Sequence, residues 1–219
     1  MSEIHIKVVY GPHKPFLFNP VKWIAKCFPK SGRTAVRTLV ILVALTLANF
    51  SAQATTLLRL GLGDMAQDSS AIARVKVVAT NQVLRGSDVF TVYQFETLEY
   101  LKKPVSGTLQ NVAVPGGAAG GIRQVVAGAP VLHVGGEYVL FLWTSRSGLT
   151  QIVGLSQGLF EVNRESENRL QVTRAAASEQ MVDATGRPVR PETVTMPWSE
   201  MKSRVSQALG GPVAAVGSK

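Results

Sequence analysis

One pentapeptide of this sequence has the spacing of a serine-hydrolase nucleophile. The segment Gly154-Leu155-Ser156-Gln157-Gly158 matches G-x-S-x-G, a turn that exposes a reactive serine between a strand and a helix. In hydrolases of that kind the histidine follows the serine, whereas His133 precedes Ser156 here and a strand-like segment, LFEV, comes next. The sequence therefore favours a glycine-bounded turn without catalytic residues, and a hydrolase that uses Ser156 is the less favoured alternative.

Two other glycine-rich segments carry only part of a phosphate-binding pattern. Gly61 to Ala66 reads G-x-G-x-x-A, but no β-α-β unit surrounds it, and Asp88, at the expected distance, falls in a turn cluster. The loop Gly116 to Gly121 is not followed by Lys-Ser/Thr. His133 has no neighbouring cysteine or histidine, and zinc sites use three or four such ligands. We therefore expect no cofactor and no metal.

The clearest chemical signal is a processing site. Ala52 and Ala54 form an A-x-A triplet after a basic leader (residues 1–37) and the apolar region of residues 38–54, which is the order of a secretory signal. We predict cleavage after Ala54 and export to the periplasm or the exterior. The leader is longer than usual, and residues 38–58 carry no charge, so an anchor in the inner membrane is the alternative.

The charge of the chain belongs mostly to this leader. Seven of the 23 basic residues but only one of the 14 acidic residues lie in residues 1–37. The remaining chain has just three more basic than acidic side chains, and its arginines alternate with acidic neighbours instead of aromatic ones. This pattern is not that of a nucleic-acid-binding surface. The single cysteine, Cys27, precedes the cleavage site, so the exported domain has no disulfide.

The elements that must position these residues are mainly β. Short segments rich in β-branched and aromatic residues recur between turn signals, and Glu137–Thr144 is apolar enough for a strand buried on both faces. We predict an OB-like barrel or a small sandwich over residues 55–180, with a short helical turn near its start. Residues 181–219 are assigned to a linker, an amphipathic helix that follows Pro197, and a disordered tail. The helix has one apolar stripe, formed at helical spacing by Trp198, Met201, Val205 and Leu209.

The strand succession over residues 71–144 resembles the netrin/tissue-inhibitor-of-metalloproteinase module. The segments AIARVKVVAT, VYQFETLEYLKKPVSG, QNVAVPGG and VGGEYVLFLW occur in its order. The corresponding positions are Tyr93, Phe95, Leu98, Lys102, Val134, Gly135, Tyr138 and Leu140. The resemblance implies a five-stranded OB-type barrel and an extracellular protease as a partner. Tissue inhibitors bind the protease metal through an N-terminal cysteine, which this chain lacks, so the resemblance implies the fold more than the inhibitory mechanism.

The sequence thus predicts an exported, non-catalytic β domain that binds a protein or polymer partner of the cell envelope or exterior. The alternative is an envelope protein that residues 38–58 anchor in the membrane.

Overall fold

The computed structural model of the chain describes residues 56–105, 107–166 and 169–210. The predicted leader, the cleavage residues Ala52 and Ala54, and the predicted disordered tail lie outside these residues. Only the last three positions of the alternative membrane anchor are described. Among the described residues, no helix is long and apolar enough to span a membrane.

The described chain is mainly β, as the sequence predicts, with thirteen strands and two helices that comprise about half and an eighth of its residues. The strands are β1 Thr56–Leu58, β2 Ala71–Arg85, β3 Asp88–Lys102, β4 Asn111–Pro115, β5 Gly117–Ala119, β6 Ile122–Gln124, β7 Glu137–Thr144, β8 Thr150–Ile152, β9 Leu159–Ser166, β10 Arg169–Arg174, β11 Gln180–Val182, β12 Pro188–Val189 and β13 Val194–Pro197. The helices are α1 Leu62–Asp68 and α2 Trp198–Ala208.

Eight of the strands form one sheet with the order β13-β10-β9-β7-β2-β3-β4, in which β8 also pairs with β7. All of its pairings are antiparallel. The sheet curls so that β4 comes into contact with β8, yet these two strands share no ladder, and the described residues form no closed barrel. Because β2, β3, β4, β7 and β8 alternate in direction along the sheet, β4 and β8 run parallel to each other.

The strand β7 is the centre of the packing, as its sequence predicts. Its residues Val139 and Phe141 join an apolar cluster with the two helices, whereas Leu140 and Leu142 join a second cluster inside the curled part of the sheet. Both leucines are fully buried. Burial on both faces explains the continuous apolar run, since neither set of alternating side chains reaches water.

The predicted C-terminal helix is confirmed as α2, which begins directly after Pro197. Three of its four predicted stripe residues, Trp198, Met201 and Val205, are buried against the sheet, whereas Leu209 lies at its exposed end. The Trp198 indole N–H points to Glu99 of β3, with 3.3 Å between Nε1 and Oε2. The apolar stripe therefore fixes α2 to the outer face of the sheet. The predicted N-terminal helical turn is α1, which packs in the same cluster.

Three local predictions differ from the structure. The turn cluster around Asp88 is confirmed at Gly86 and Ser87, but the strand before it extends beyond the segment AIARVKVVAT to Arg85, so β2 and β3 form a long hairpin. The glycine-rich segment predicted as a loop contains β5, which pairs with β6. The segment assigned to a linker contains β12 and β13, and β11 pairs in parallel with β1. The β5–β6 and β1–β11 pairings involve a glycine-rich or a distant segment, so the local pattern did not reveal them.

Candidate functional site

The G-x-S-x-G segment connects β8 to β9 and contains no helix. Both strands pair with the same edge of β7, so the loop interrupts what would otherwise be one continuous strand. Phe141 marks the two ends of the loop: its carbonyl accepts from the Val153 N–H and its N–H donates to the Gly158 carbonyl, both at 2.9 Å. The strand-to-helix setting of a nucleophile elbow is therefore missing.

The backbone of the loop explains why glycine occupies both end positions of the motif. Gly154 has a φ of 62°, in the left-handed region that glycine adopts without strain. A side chain on Gly158 would lie 2.6 Å from the Val153 carbonyl oxygen, so the close return of the chain requires glycine there. Between them, Leu155 has a φ of 58° and is the one described non-glycine residue with positive φ. The loop is thus tightly wound and locally strained.

Gln157 holds this loop against the start of the described chain. Its side chain is almost fully buried; Nε2 donates to the Leu58 carbonyl and Oε1 accepts from the Leu60 N–H, both at 2.9 Å. These two hydrogen bonds tie β1 and the residues that lead into α1 to the sheet. The glutamine of the motif therefore has a structural role.

The structure does not bring Ser156 and His133 together through any hydrogen bond among the described residues. His133 is exposed in the loop before β7, and its backbone N–H donates to the Tyr138 hydroxyl at 3.0 Å. His133 is the only histidine in the described ranges, so Ser156 has no other imidazole there to act as a base. In the described part of the chain, no three His, Cys, Asp or Glu side chains are grouped as a metal site.

The G-x-G-x-x-A pattern of residues 61–66 also has a structural explanation. Gly61 is the N-cap of α1, and its backbone N–H donates to the Asp64 carboxylate at 3.2 Å. The helix has only seven residues, and the strand before it, β1, pairs with the distant β11 instead of a β-α-β neighbour. The spacing of the glycines here serves a helix start. The turn of Asp88 joins β2 to β3, as its cluster of turn residues indicates.

A groove of about 350 Å³ lies near the place where β4 meets β8. Three parts of the sheet line it: the distal end of the β2–β3 hairpin, β4, and the turn between β7 and β8. Its apolar residues are Val83, Phe90, Val92, Ala113 and Leu149. Its polar residues are Arg85, Asn111 and Thr150. An apolar floor with a few polar groups is the usual composition of a ligand-binding groove.

Two strand edges also face this groove with unpaired backbone groups. In β4, Gly116 donates to the Val89 carbonyl, and the Gln110 carbonyl accepts from Phe95, which sets the alternation of hydrogen bonds to β3. The N–H and C=O of Asn111 and Ala113 therefore point away from β3.

The same alternation applies to β8. The Val153 N–H donates to Phe141, and the Leu149 carbonyl accepts from Ser145, so the backbone groups of Thr150 and Ile152 point away from β7. No backbone hydrogen bond joins β4 to β8 in the described residues. Each of the two edges therefore offers unused donors and acceptors at the groove, and a partner strand pairs with one of them at a time because β4 and β8 are already in contact.

Four of the eight residues that carry the netrin-type resemblance lie in the core of the curled part of the sheet. Tyr93 and Phe95 of β3 and Tyr138 and Leu140 of β7 are buried in one cluster. Lys102 instead donates from Nζ to the Ala66 carbonyl at 3.0 Å. Of the rest, Leu98, Val134 and Gly135 are exposed. Sequence reasoning missed the groove residues, because their only signal was the pair of turn clusters that the fold brings together.

Comparison with known proteins adds no relative: no family model matches the chain, and no curated protein sequence is similar enough to count as one.

Proposed function

We propose that this chain is an exported, non-catalytic binding module that holds an extended segment of a protein partner in the groove between the β2–β3 hairpin, β4 and the β7–β8 turn. The observation that carries the proposal is the pair of unpaired strand edges at the groove. Extended peptides bind exposed sheet edges through main-chain hydrogen bonds, and neighbouring pockets select their side chains. The main-chain hydrogen bonds would come from Asn111, Ala113 and Thr150, and the apolar floor of the groove would hold the side chains of the peptide.

The strand order favours an OB-type module as the framework of this site. The strands β2, β3 and β4 form a meander, β7 pairs with the first strand of that meander, and β8 returns parallel to β4. An OB fold is a partly open five-stranded barrel of this kind, and it binds extended ligands between two loops on the face of its second and third strands. The groove occupies the equivalent place here. This interpretation agrees with the netrin-type resemblance, and it keeps an extracellular protease among the partners to test.

The compartment in this proposal comes from the leader. Cleavage after Ala54 would release a domain that begins next to β1, the first described element. The alternative is that residues 38–58 keep the same domain at the membrane. The intact mass of the protein recovered from the cell exterior or the envelope distinguishes cleavage from anchoring.

The groove is tested by selecting peptides from a random library on the immobilised protein and measuring the affinity of an enriched peptide. Leu149→Asp places a charge on the apolar wall. We expect the peptide to bind at least about tenfold more weakly, because the variant loses an apolar contact and buries an unpaired charge. Leu98→Asp is the matched control, because Leu98 is exposed on β3 and does not line the groove.

A second measurement tests the strand-pairing mode. Methylating alternate backbone nitrogens of the peptide should abolish binding in one phase and spare it in the other, since only every second residue faces a given strand edge. A library that yields no peptide, or a peptide that binds Leu149→Asp as well as wild type, would contradict the proposal.

A further inference from the structure

A small cleft opens beside the loop 154–158, apart from the groove residues. It encloses about 10 Å³, room for about one water-sized atom, and three arginines line it together with Glu192 and Ser156: Arg59, Arg174 and Arg190. The other lining residues are Gln157, Ala175, Ala177 and Met181. Glu192 is the only acidic side chain among them. The cleft therefore carries an excess of positive charge.

The arginines differ in how their charge is compensated. Arg59 forms an ion pair with Glu192, so it uses the one carboxylate of the cleft. Arg174 lies with its guanidinium carbon 5.5 Å from the centre of the Phe160 ring, and its Nη1 donates to the Gln157 carbonyl at 3.4 Å. Burial, and then the nearby charge of Arg59, lower the pKa of Arg174, whereas the charge of Glu192 raises it by less. Neither Arg174 nor Arg190 forms an ion pair with a carboxylate in the described ranges.

Ser156 adds a neutral donor at the same place. Its hydroxyl has no hydrogen-bond partner among the described residues, although it lines the cleft. The strained turn at Leu155 and the buried Gln157 hold the serine between them, so its position is set by the backbone. A guanidinium without a carboxylate partner and an unused hydroxyl thus lie at one small opening.

We propose that this cleft binds a single carboxylate group. Guanidinium groups match a carboxylate in geometry, and a charge-assisted hydrogen bond to an ionised oxygen is stronger than one between neutral groups. The size of the cleft favours a carboxylate over a phosphate, because a planar group can place one oxygen inside while its carbon stays at the opening. The donors would be Arg174 and Ser156, with Arg190 at the exposed rim. The inference does not depend on peptide binding in the groove.

The test is an NMR titration of the full-length protein at constant ionic strength, with sodium chloride replaced by sodium acetate. A parallel titration uses N-acetyl-glutamate α-amide, which presents the same carboxylate on an amino-acid side chain. We expect saturable shifts of the backbone amides of residues 154–158 in at least one titration. Tighter binding of the amide would identify a peptide side chain as the source, and tighter binding of acetate a free acid.

Variants separate binding from general charge effects. Arg190→Gln changes an exposed side chain, and Arg174→Gln removes the more buried guanidinium; each should weaken binding about tenfold or less, the loss of one charge-assisted hydrogen bond. Ser156→Ala should weaken it by a smaller factor. Arg123→Gln is the matched control, since Arg123 is exposed on β6 and has the same charge.

Three results would overturn the proposal. They are the absence of saturable shifts, unchanged affinity in Arg190→Gln and Ser156→Ala, and inorganic phosphate binding tenfold more tightly than either carboxylate. Because Arg190 and Ser156 are not buried, their variants keep the test decisive even if Arg174→Gln unfolds.

Discussion

The loop 154–158 allows a direct test of whether its motif is structural, through Gln157. In Gln157→Ala the Leu58 carbonyl and the Leu60 N–H both lose their partner. One hydrogen bond contributes about 1 kcal/mol net, so two contribute about 2 kcal/mol to the free energy of unfolding. Leu58 is exposed, which lets its freed carbonyl reach water and keeps the expected loss near this value. Urea unfolding followed by tryptophan fluorescence measures it.

Gln157→Glu makes the same test depend on pH. A protonated glutamic acid can still donate to Leu58 and accept from Leu60, whereas a carboxylate in this buried position would face the Leu58 carbonyl oxygen with no proton between them. Burial and the facing Leu58 carbonyl raise the pKa of the introduced acid in the folded state above its unfolded value of about 4.3. The arginines of the neighbouring cleft act in the opposite direction, but more weakly, because Arg59 is paired with Glu192 and Arg174 contacts the backbone carbonyl of residue 157 instead of its side chain. The folded state then binds more protons than the unfolded state, so stability falls as the pH rises from about 4 through the raised pKa.

A rise of about two pKa units would make the variant about 2.4 kcal/mol less stable at pH 7 than at pH 4, relative to wild type. Glutamine does not titrate, so the difference between variant and wild type isolates this one group. The reasoning is refuted if Gln157→Ala unfolds at the urea concentration of wild type. It is also refuted if the stability difference for Gln157→Glu is the same at both pH values.

Three further perturbations test other parts of the account. Leu140→Ala and Leu142→Ala should each lower the free energy of unfolding by about 2–5 kcal/mol, because both side chains are fully buried, whereas the exposed Leu98→Ala should change it little. Wild-type unfolding curves for both would contradict the central place of β7. The Thr185 hydroxyl and then the Arg187 backbone N–H lower the pKa of Asp183 from 3.8. Its contribution to stability should therefore be present above about pH 4 and lost as the pH falls through the lower folded pKa, and carboxyl NMR titration measures it. Ala54→Leu should block processing because the peptidase accepts only small residues there, and an intact mass that matches cleavage would contradict this.

The sequence was most informative where a pattern depends on one segment alone. The run Glu137–Thr144 predicted a doubly buried strand, and the spacing of Trp198, Met201 and Val205 predicted the buried face of α2. Local patterns were weaker where a strand needs a distant partner. The strand β11 has three residues and is formed by pairing with β1, more than a hundred positions away in the chain. Such a segment has too few residues to show a period of its own.

The candidate sites were harder to predict for the same reason. The groove combines the turn at Gly86, the strand β4 and the turn near Gly148, and only the curl of the sheet brings them together. The cleft likewise joins Arg59 to Arg174 and Arg190 from distant parts of the chain. His133 and the G-x-S-x-G segment, by contrast, are visible in the sequence. The fold does not join them by any hydrogen bond in the described residues.

The motif that suggested a nucleophile is also the physical cause of the open edge at the groove. The strand β8 has only three residues, because the chain leaves the line of the strand at Gly154 and returns to β7 as β9. On the other side of the groove, Pro115 ends β4 with a residue that has no N–H to donate. A short strand and a proline both limit pairing at a sheet edge, so β4 and β8 remain in contact without a ladder. If the loop at 154–158 were deleted and β8 continued without interruption, we expect β8 to form a ladder with β4, and the groove would lose the edges that make it suitable for a partner strand.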